Sequence, residues 1–487
     1  MNFRNLFFAL FILISSTSYA KLISPYNYGL NEATNGTEVY YVLLRTHESA
    51  IAQGCNVTYK GIKQLYIDIP SDARSIPLPR VVDFHGVKIT VRNTKKSIFL
   101  FSLTQETQKI NIDKQRIDDS YLGDFTEVNK GYSLLVIEDK LPWVEKRDGY
   151  NYGATRRDIL LIHNGKRLNE SVYPYNNTQS DPDVSYCSVS PKRKKYSNLY
   201  FERTADSKVI TELFLFKNQY NVFIKNINVK TPESTLYGDR PFTFQNCAHI
   251  VLENIQIDGT YSAKDKYGYG ISMDNVWDSK FIKIKSRCEW GVFGNYNVNY
   301  AVLKDCDINR FDIHCYGRDV YCYNTIFTDF YNQFSALYGD LVFEKCHFIN
   351  YIPVLFDPSF YAYTPFNLVI KDCVLGVNKK YPFLINAGSP ASKHINPRTE
   401  LSKVCWPNIV IDGLVVNIPD GVENWVLFGV NGNNLPEIEY ISDLKINKLV
   451  LKGSNPPGVI DLSNKHIRTK EKLNIKVTSS TIKEIIE

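Results

Sequence analysis

Short alternations of apolar and polar residues recur along the second half of the chain and predict β-strands of similar length. Copies of one eight-residue pattern begin at Val222, Ile250, Ala301, Val320, Leu341, Leu368 and Ile409. Alternation with period two is typical of a strand with one buried face, whereas helical repeats need apolar spacings of three and four residues. A strand pattern that returns at intervals of roughly 20 to 50 residues predicts a solenoid, in which each rung packs only against its neighbours.

A second row of strands lies between these copies. Segments 270–276, 291–297, 312–318, 334–340 and 353–359 align with offsets of 21, 21, 22 and 19 residues. Two strand rows per turn with a nearly constant rise predict a parallel β-helix. We take Ile271, Val292, Ile313 and Val354 as the inward positions, so that the alternate residues of these segments are expected to point outward.

The repeat resembles the right-handed parallel β-helix of pectate-lyase-like and polygalacturonase-like proteins. Members of that superfamily are mostly exported polysaccharide-cleaving enzymes, or glycan binders of phages and cell surfaces. The resemblance implies an all-β, single-stranded solenoid over residues 85–487, behind an N-terminal cap formed by residues 21–84. The paired-Asp, Gly-His-Gly and Arg-x-Lys signatures of polygalacturonases do not occur, nor does the Arg-rich motif of classical pectate lyases. The resemblance therefore supports the architecture and leaves the reaction open.

Two features of the predicted solenoid lie near its N-terminal end. Residues 38–52 have the pattern of an amphipathic helix, which would close the first coil, because an uncapped solenoid exposes a strand edge and an apolar end. Segments 105–131, 138–157 and 169–195 are expected to be long loops that wall one side of a cleft, since loops of such length tend to be functional or mobile.

Composition and cysteine usage narrow the class of protein. The chain has 487 residues, of which 44% are apolar, 13% aromatic and 22% charged, which excludes a disordered tail or a small disulfide-stapled module. The net charge of +6 is weak for a dedicated nucleic-acid binder. Ten cysteines are spread without paired spacings, and Cys306, Cys346 and Cys373 share the sixth position of the repeat. We interpret these three as small core residues in one stacked row, with a metal or redox role as the alternative.

Residues 1–20 have the pattern of a secretory signal peptide. Arg4 precedes an apolar run over 6–14, and a small-residue cleavage site ends at Ala20. The run falls short of the roughly 20 residues of a membrane span. Lys21 follows the cleavage site, so no lipoprotein cysteine is present. We predict a secreted or periplasmic protein without a membrane span.

The candidate catalytic residues lie in segment 308–319, the densest polar stretch of any predicted strand. Asp312 and His314 are expected to transfer protons from the outward face, and Arg318 to clamp an anionic or hydroxyl group. Glu289, one rung away and roughly 8 Å from Asp312, is the candidate partner at the spacing of an inverting glycosidase. The alternative for Glu289 is a structural pair with Arg310 across the rungs.

The remaining candidates would bind substrate. Carboxylate, amide and aromatic side chains continue the expected outward row or flank it, and are predicted to contact sugars: Asp274, Asn295, Tyr316, Tyr338, Phe293 and Trp290. An Asp and Asn row can hold Ca²⁺, but only two or three such oxygens come together. No cofactor or metal is therefore predicted, with Ca²⁺ as a minor alternative.

These observations favour an exported polysaccharide-active enzyme, a glycoside hydrolase that acts in a cleft on the β-helix face. One alternative is a polysaccharide lyase, which eliminates across a uronate. The other is a non-catalytic glycan-binding or surface-structure β-helix protein. In each case the predicted partner is a polysaccharide or oligosaccharide, nucleic acid is not expected, and the chain is predicted to be a monomer.

Overall fold

The computed structural model describes most of the chain after the predicted signal peptide. Residues 1–20 lie outside the described part, as do 114–116, 118–124, 129, 145–153, 171–180, 205–210, 232–239, 260–268, 287–290, 329–330, 335–336, 350–351, 357–365, 381, 388–403, 406–407, 423–424, 431–437, 440–442, 454–457, 462–473, 478–483 and 487. Within the described part, no helix is both long enough and apolar enough to span a membrane.

A helical cap closes the N-terminal end, as predicted. Its elements are β1 (Leu22–Ile23), a 3-10 helix (Pro25–Tyr28), α1 (Gly36–Ala52), β2 (Asn56–Thr58), β3 (Gln64–Ile69) and β4 (Ile76–Pro77). Asn35 begins helix α1, because its side-chain oxygen accepts the backbone N–H of Glu38 at 3.0 Å. Val39 and Leu43 are buried on the inner face of the helix, which covers the first coil.

The rest of the chain is mainly a right-handed parallel β-helix, which confirms the predicted fold class. Its strands in the N-terminal half are β5 (Val81–Thr94), β6 (Ile98–Thr104), β12 (Lys194–Arg203), β13 (Thr211–Lys217), β14 (Tyr220–Lys230), β15 (Phe242–Asp258), β16 (Tyr269–Ser286) and β17 (Gly291–Lys304). Those that follow are β18 (Asp307–Ile308), β19 (Asp312–Tyr323), β20 (Ile326–Phe327), β21 (Tyr331–Phe334), β22 (Leu337–Glu344), β23 (His347–Phe348), β24 (Ile352–Phe356), β25 (Phe366–Gly376) and β26 (Phe383–Ala387). The last are β28 (Asn408–Asn417), β29 (Trp425–Val430), β31 (Asp443–Lys452), β32 (Gly458–Asp461), β33 (Asn474–Val477) and β34 (Glu484–Ile486), while β27 (Val404–Cys405) and β30 (Ile438–Glu439) pair apart from them.

The first predicted strand row stacks in the register that the sequence repeat indicates. Val222 pairs with Ile250, Ala301 with Val320, Leu341 with Leu368, and Leu368 with Ile409. All of these side chains are buried. Cys306, Cys346 and Cys373 are buried thiols in the same core and form no disulfide.

Rows of left-handed residues turn the chain between the faces of the β-helix. Asn198, Asn226 and Asn254 have φ near +60° and occupy one corner. The amides of Asn226 and Asn254 donate to the amide oxygen of the preceding rung at 2.9 and 2.8 Å, and that of Asn198 donates to the carboxylate of Asp83 at 2.9 Å. A second ladder of the same kind runs through Asn218, Asn246, Asn275 and Asn297. Asn tolerates this conformation better than most residues, and its amide satisfies the next turn as well.

The second predicted strand row has a different register from the expected one. Ile271 pairs with Phe293 rather than Val292, and the ladder shifts again between Asn295 and Tyr296. A slip of one residue exchanges inward and outward positions. Phe293 is therefore fully buried, where it packs edge-on against Phe281, and the prediction of an outward sugar platform at Phe293 was wrong.

An antiparallel sheet interrupts the solenoid at the place where long loops were predicted. Its strands are β7 (Gln108–Ile110), β8 (Tyr132–Val144), β9 (Ala154–His163), β10 (Lys166–Arg167) and β11 (Asp183–Val189), in the order β10-β9-β8-β11-β7. Strand β12 stacks directly on β5, with Lys195 opposite Val81, so the chain between them leaves the β-helix and returns. The loops predicted for this part of the chain therefore contain a sheet, which we call the insert (residues 108–189).

The insert packs one face on its own core and the other on the β-helix. Leu135, Ile137 and Leu160 belong to the outer cluster. On the opposite face, Leu134 and Ile159 pack against a patch of the β-helix formed by Ala248, Tyr220 and Trp277. The insert is therefore held against the solenoid by apolar burial, and the two bodies meet beside the second Asn ladder.

Candidate functional site

Asp312, the first predicted catalytic residue, lies in the interior of the protein. Its side chain is fully buried and forms an ion pair with the equally buried Arg310. The hydroxyl of Tyr269 donates to Asp312 Oδ2 at 3.3 Å. The prediction that Asp312 points outward as a proton-transfer group was wrong: Ile313 is buried as expected, but Asp312 is buried as well, where Arg310 and Tyr269 supply its polar partners.

Aromatic rings surround this buried ion pair. The guanidinium of Arg310 lies 4.8 Å from the ring centre of Tyr331. Burial alone would lower the pKa of Arg310, but the neighbouring Asp312 carboxylate outweighs this effect, so the pKa is raised. A β-carbon added to Gly294 would lie 2.4 Å from the ring of Tyr269, so only glycine fits beneath that ring. The cluster is packed like a structural core element, and the side chain of Asp312 has no exposed surface.

Several other predicted residues lie outside the described part of the molecule. Glu289 and Trp290 belong to an undescribed stretch. The backbones of His314, Tyr316, Asn295 and Tyr338 lie in strands, but their side chains are not described. Their assignments as catalytic or sugar-binding residues stay predictions.

Asp274 and Arg318 point outward, as predicted, and both contact the insert. Arg157 Nη1 donates to Asp274 Oδ2 at 3.1 Å, and burial raises the pKa of Asp274 despite this cation. Arg318 pairs with Glu170 of the segment that follows the insert strand β10, and its Nε lies 3.3 Å from Asp319 Oδ2. These two residues frame the seam between the insert and the β-helix.

A bend between two faces of the β-helix runs along this seam. On each of four successive rungs, the bend residues lie two and three positions after the Asn of the second ladder. Register pairs Tyr220 with Ala248, Ala248 with Trp277, Trp277 with Asn299, and Asn299 with Arg318. The residues after these are again left-handed: Asn221, His249, Asp278, Tyr300 and Asp319. We call Tyr220, His249, Trp277, Asp278, Tyr300, Arg318 and Asp319 the bend row.

The aromatic members of the bend row contact one another and continue into the insert. Tyr220 stacks on Tyr132 with ring centres 5.5 Å apart, and Tyr132 stacks on His163 at 4.2 Å. The rings of Tyr220 and His249 lie 6.1 Å apart. Trp277 meets Tyr300 edge-to-face at 6.3 Å. These side chains are partly exposed on successive rungs, and Tyr220 and Trp277 also pack against the insert.

Polar groups sit between the rings. His249 Nδ1 lies 2.6 Å from Asp278 Oδ2, and the Asp278 side chain is 22% exposed. Asp319 accepts the backbone N–H of Asp340 at 2.9 Å and packs so closely on Gly339 that a β-carbon there would lie 2.0 Å from Asp319 Oδ1. Asp319 is thus fixed by the turn, while Asp278 and Arg318 present donors and acceptors beside the rings.

Tyr300 occupies a backbone conformation that suits small residues. Its φ is +57°, whereas most described non-glycine residues in this region of φ are Asn or Asp. A bulky side chain at positive φ is an outlier that costs about 1–3 kcal/mol. Burial raises the pKa of Tyr300, and burial raises the pKa of Tyr321 on the next face to about 12, so both phenols are neutral donors at ordinary pH. An unfavourable backbone that is kept with an aromatic ring indicates a use for the ring.

No group of three or more His, Cys, Asp or Glu residues within the described part is arranged to hold a metal ion. The bend row therefore has to be judged by its rings, its amides and its charges.

Comparisons with known proteins agree with the architecture. No family model matches the chain, and no curated protein matches it. Among solved structures, the tailspike protein gp49 from Pseudomonas phage LKA1 superposes with a TM-score of 0.51 at 10% identity, over 90% of this chain and 82% of that one. This likeness shows the shared parallel β-helix fold.

Two further phage tailspikes superpose less well. Tailspike gp61 from Pseudomonas phage phi297 gives a TM-score of 0.46 at 10% identity, over 85% of this chain and 81% of that one. The gp54 tailspike of Acinetobacter baumannii bacteriophage AP22, in complex with A. baumannii capsular saccharide, gives 0.45 at 10% identity, over 92% and 79%.

The sequence contains a motif that marks the bend row and lies outside the two strand repeats. An Asn precedes four of the five left-handed bend residues by three positions, as in Asn246 to His249, Asn275 to Asp278, and Asn297 to Tyr300, whereas Tyr316 stands in that place before Asp319. The two strand repeats lie on either side of this motif, so the motif looks like a connection between strands. Only the insert, whose position the sequence does not show, places the motif along a seam with a second sheet.

Proposed function

We propose that the protein binds a polysaccharide along the bend row, in the groove between the β-helix and the insert. The observation that carries the proposal is the line of partly exposed aromatic side chains on consecutive rungs, with Asp278 and Arg318 beside them. At a rung spacing of about 4.8 Å, the row from Tyr220 to Tyr300 extends over roughly 14 Å, the reach of a short oligosaccharide.

The chemistry of the row suits a sugar chain. The C–H face of a pyranose ring packs on an aromatic ring, and Trp and Tyr supply large rigid surfaces with one polar tip each. Sugar hydroxyls both donate and accept, so Asp278 can accept from them and Arg318 can donate to them. Because the rows are built on strands with Asn ladders behind them, the rings are held in place before any ligand arrives, which limits the entropic cost of binding.

Cleavage of the bound chain is the finer hypothesis that the sequence raised. Its hydrolase form used Asp312, which is enclosed with Arg310, and Glu289, which lies outside the described residues. Within the bend row, Asp319 already accepts from Asp340 and faces Arg318, a commitment that suits a structural carboxylate. These contacts support glycan binding more directly than hydrolysis or elimination.

A panel of purified polysaccharides tests the proposal. The mature chain is immobilised, retention of each glycan is measured, and the supernatants are assayed for new reducing ends and for the ultraviolet absorbance of unsaturated products. Retention without product formation is the expected result. Retention of no glycan would overturn the proposal, and release of products would replace binding by hydrolysis or by elimination, according to which assay responds.

The site of action follows from the N-terminal segment. We propose that residues 1–20 direct export and are removed after Ala20, which would place the glycan-binding chain outside the cytoplasm. The N-terminus of the chain recovered from culture medium or periplasm tests this by mass spectrometry, with Lys21 as the expected first residue. Recovery of the full chain with residues 1–20 attached would contradict it.

A further inference from the structure

A cavity of about 560 Å³ lies beside the cap, between the end of helix α1, strand β6 and the start of β12. Its size is in the range of small-molecule sites. The floor is apolar, with Ile51, Leu78 and Leu103, and the hydroxyls of Ser102, Thr104 and Ser190 line it as well. A surface that combines an apolar floor with several hydroxyls fits one sugar ring rather than a hydrocarbon.

Three cations surround this cavity. Arg80, Lys192 and Lys194 line it, and none of its described lining residues is acidic. Within the described part of the chain, no ion pair joins any of the three to a carboxylate. The only side-chain hydrogen bond of Lys194 in that part goes from Nζ to the backbone oxygen of Tyr220 at 2.7 Å. An ammonium carries three donors, so Lys194 keeps donors for a ligand.

The same hydrogen bond joins the cavity to the bend row. Lys194 pairs across the rungs with Val222, and its ammonium reaches the backbone of Tyr220, whose ring begins the aromatic line. A chain that lies along the bend row would therefore bring its end to the cations of the cavity. Arg193, beside them, lies over the ring of Phe223 at 5.5 Å and adds positive charge to the same corner.

We infer that this cavity binds the carboxylate of an acidic sugar unit, a uronate, at the end of the polysaccharide held by the bend row. The inference rests on the proposed glycan binding and adds the chemical class of the glycan. Arg80, Lys192 and Lys194 would pair with the carboxylate, the hydroxyls would meet those of the sugar, and the apolar floor would take its C–H face. The hydroxyl and apolar residues of the lining favour a sugar, and the three cations favour an anion.

The burial of Lys194 supports this assignment. Burial lowers the pKa of Lys194 to about 8, and its closest titratable neighbours are Cys187 of the insert and Cys247 of the β-helix, whose pKa values burial raises to about 11 and about 12. Both thiols are neutral where the lysine is charged. A carboxylate ligand would supply the negative charge that the folded chain does not place beside this ammonium.

The test compares one oligosaccharide in two forms, the native uronate form and its carboxyl-reduced neutral form, by titration calorimetry. The wild type is expected to bind the uronate at least about tenfold more tightly at low salt, with the preference falling as salt is raised. Arg80→Gln with Lys192→Gln, both at exposed positions, is expected to remove most of that preference, because affinity for the uronate form falls much more than affinity for the neutral form. Lys195→Gln, in the same basic run but outside the cavity lining, is the matched control and should keep the preference.

The outcomes separate the two claims. Equal binding of both forms by the wild type would overturn the uronate site and leave glycan binding in place. A preference that survives the Arg80 and Lys192 substitutions would place the acidic unit elsewhere and overturn the assignment of this cavity. Binding of neither form, nor of any glycan of the panel, would overturn the proposed function and this inference with it.

Discussion

Asp312 and Arg310 form an ion pair whose two side chains are both fully buried in the β-helix. Removal of one partner of a buried pair leaves an uncompensated charge, which costs far more than the pair contributes. The pair is therefore a structural element, and the carboxylate of Asp312 lies in the protein interior although the surrounding segment is rich in polar residues.

Substitution of Asp312 by Ala is expected to lower the free energy of unfolding by about 3–5 kcal/mol. The physical reason is the loss of the Asp312 carboxylate from beside the buried guanidinium of Arg310. Chemical denaturation of the purified variant measures the effect. Glu253→Ala, which breaks a partly exposed pair with Lys225 at 2.8 Å, is the control and should cost less than about 1 kcal/mol.

A second variant separates charge from packing in the same cluster. Arg310→Met combined with Asp312→Leu replaces both charges by apolar groups and should recover most of the stability that Asp312→Ala loses. If Asp312→Ala instead kept wild-type stability and abolished cleavage of a glycan, the structural role would be contradicted and a catalytic one restored.

Acid is expected to loosen the cap through His47. The ring is fully buried, Nδ1 lies 3.0 Å from the oxygen of Pro77, and Nε2 lies 2.9 Å from the hydroxyl of Tyr59, a set of partners that fits the neutral form. Burial lowers the pKa of His47 to about 4, below the value of about 6.5 in an unfolded chain. The unfolded chain binds the proton more readily, so stability falls as pH drops from about 6.5 towards 4, by on the order of 3 kcal/mol in full.

Denaturation curves at pH 7.5 and pH 4 measure this effect. His47→Gln should lose most of the pH dependence, whereas His85→Gln, at an exposed position, should keep it. Equal pH dependence in the wild type and His47→Gln would show that other groups cause the acid sensitivity.

Loss of a side chain from the buried Asn ladder at the seam is expected to lower the stability of the protein. Asn275 donates to Asn246 at 2.9 Å and to the backbone oxygen of Asp158 in the insert at 3.1 Å, with φ at +60°. Asn275→Ala should cost about 2–4 kcal/mol, from lost buried hydrogen bonds and the left-handed backbone. Asn275→Gly should cost about 1 kcal/mol less, because glycine adopts this conformation freely.

Thermal denaturation compares these variants with Asn254→Ala, which has the same backbone conformation at an exposed ladder position. The Asn254 variant should lose only the backbone contribution. An equal loss at Asn254 and Asn275 would contradict the claim that the ladder fastens the insert to the β-helix.

The architecture was largely predictable from the sequence, and the site was not. The sixth position of the repeat holds a small or apolar residue in every copy from Ile227 to Leu414, because a side chain there must fit between two rungs. This pattern alone identifies one strand row in the sequence. The register of the other row depends on bulges such as that between Asn295 and Tyr296, which no residue pattern announces. Phe293 was therefore assigned to the wrong side, while Asp312 is buried for a different reason, its ion pair with Arg310.

The seam between the insert and the β-helix depends on contacts between segments that are distant in sequence. Arg157 meets Asp274 across 117 residues, and Tyr132 stacks on Tyr220 because the insert folds back on the bend. Such pairings follow from where a whole sheet docks, and a local pattern does not carry that information.

The uronate site predicts a pH dependence with a defined direction. Lys194 must be protonated to pair with a carboxylate, so affinity for the uronate form should fall roughly tenfold as pH rises through about 8. Arg80 and Lys192 line the same cavity, and the thiols of Cys187 and Cys247 stay neutral up to pH 9. Lys194→Arg, which keeps its charge at every pH used, should bind with little change between pH 6.5 and pH 9.

Calorimetric titrations of the wild type and Lys194→Arg over that range measure the difference. A neutral oligosaccharide is the control ligand and should show no such fall in either protein. A wild-type affinity for the uronate that is constant across pH 8 would remove Lys194 from the site.

The bend row is tested most directly by His249→Asn combined with Tyr300→Asn. Asn suits the left-handed backbone at both positions, so the variant should be at least as stable as the wild type, although it loses two rings. The measurement is the affinity of this variant for the polysaccharides that the wild type retains, with Tyr200→Ala, an exposed tyrosine on another part of the surface, as control. The account predicts an affinity at least about tenfold lower with thermal stability kept or raised. Wild-type affinity in the double variant would contradict it.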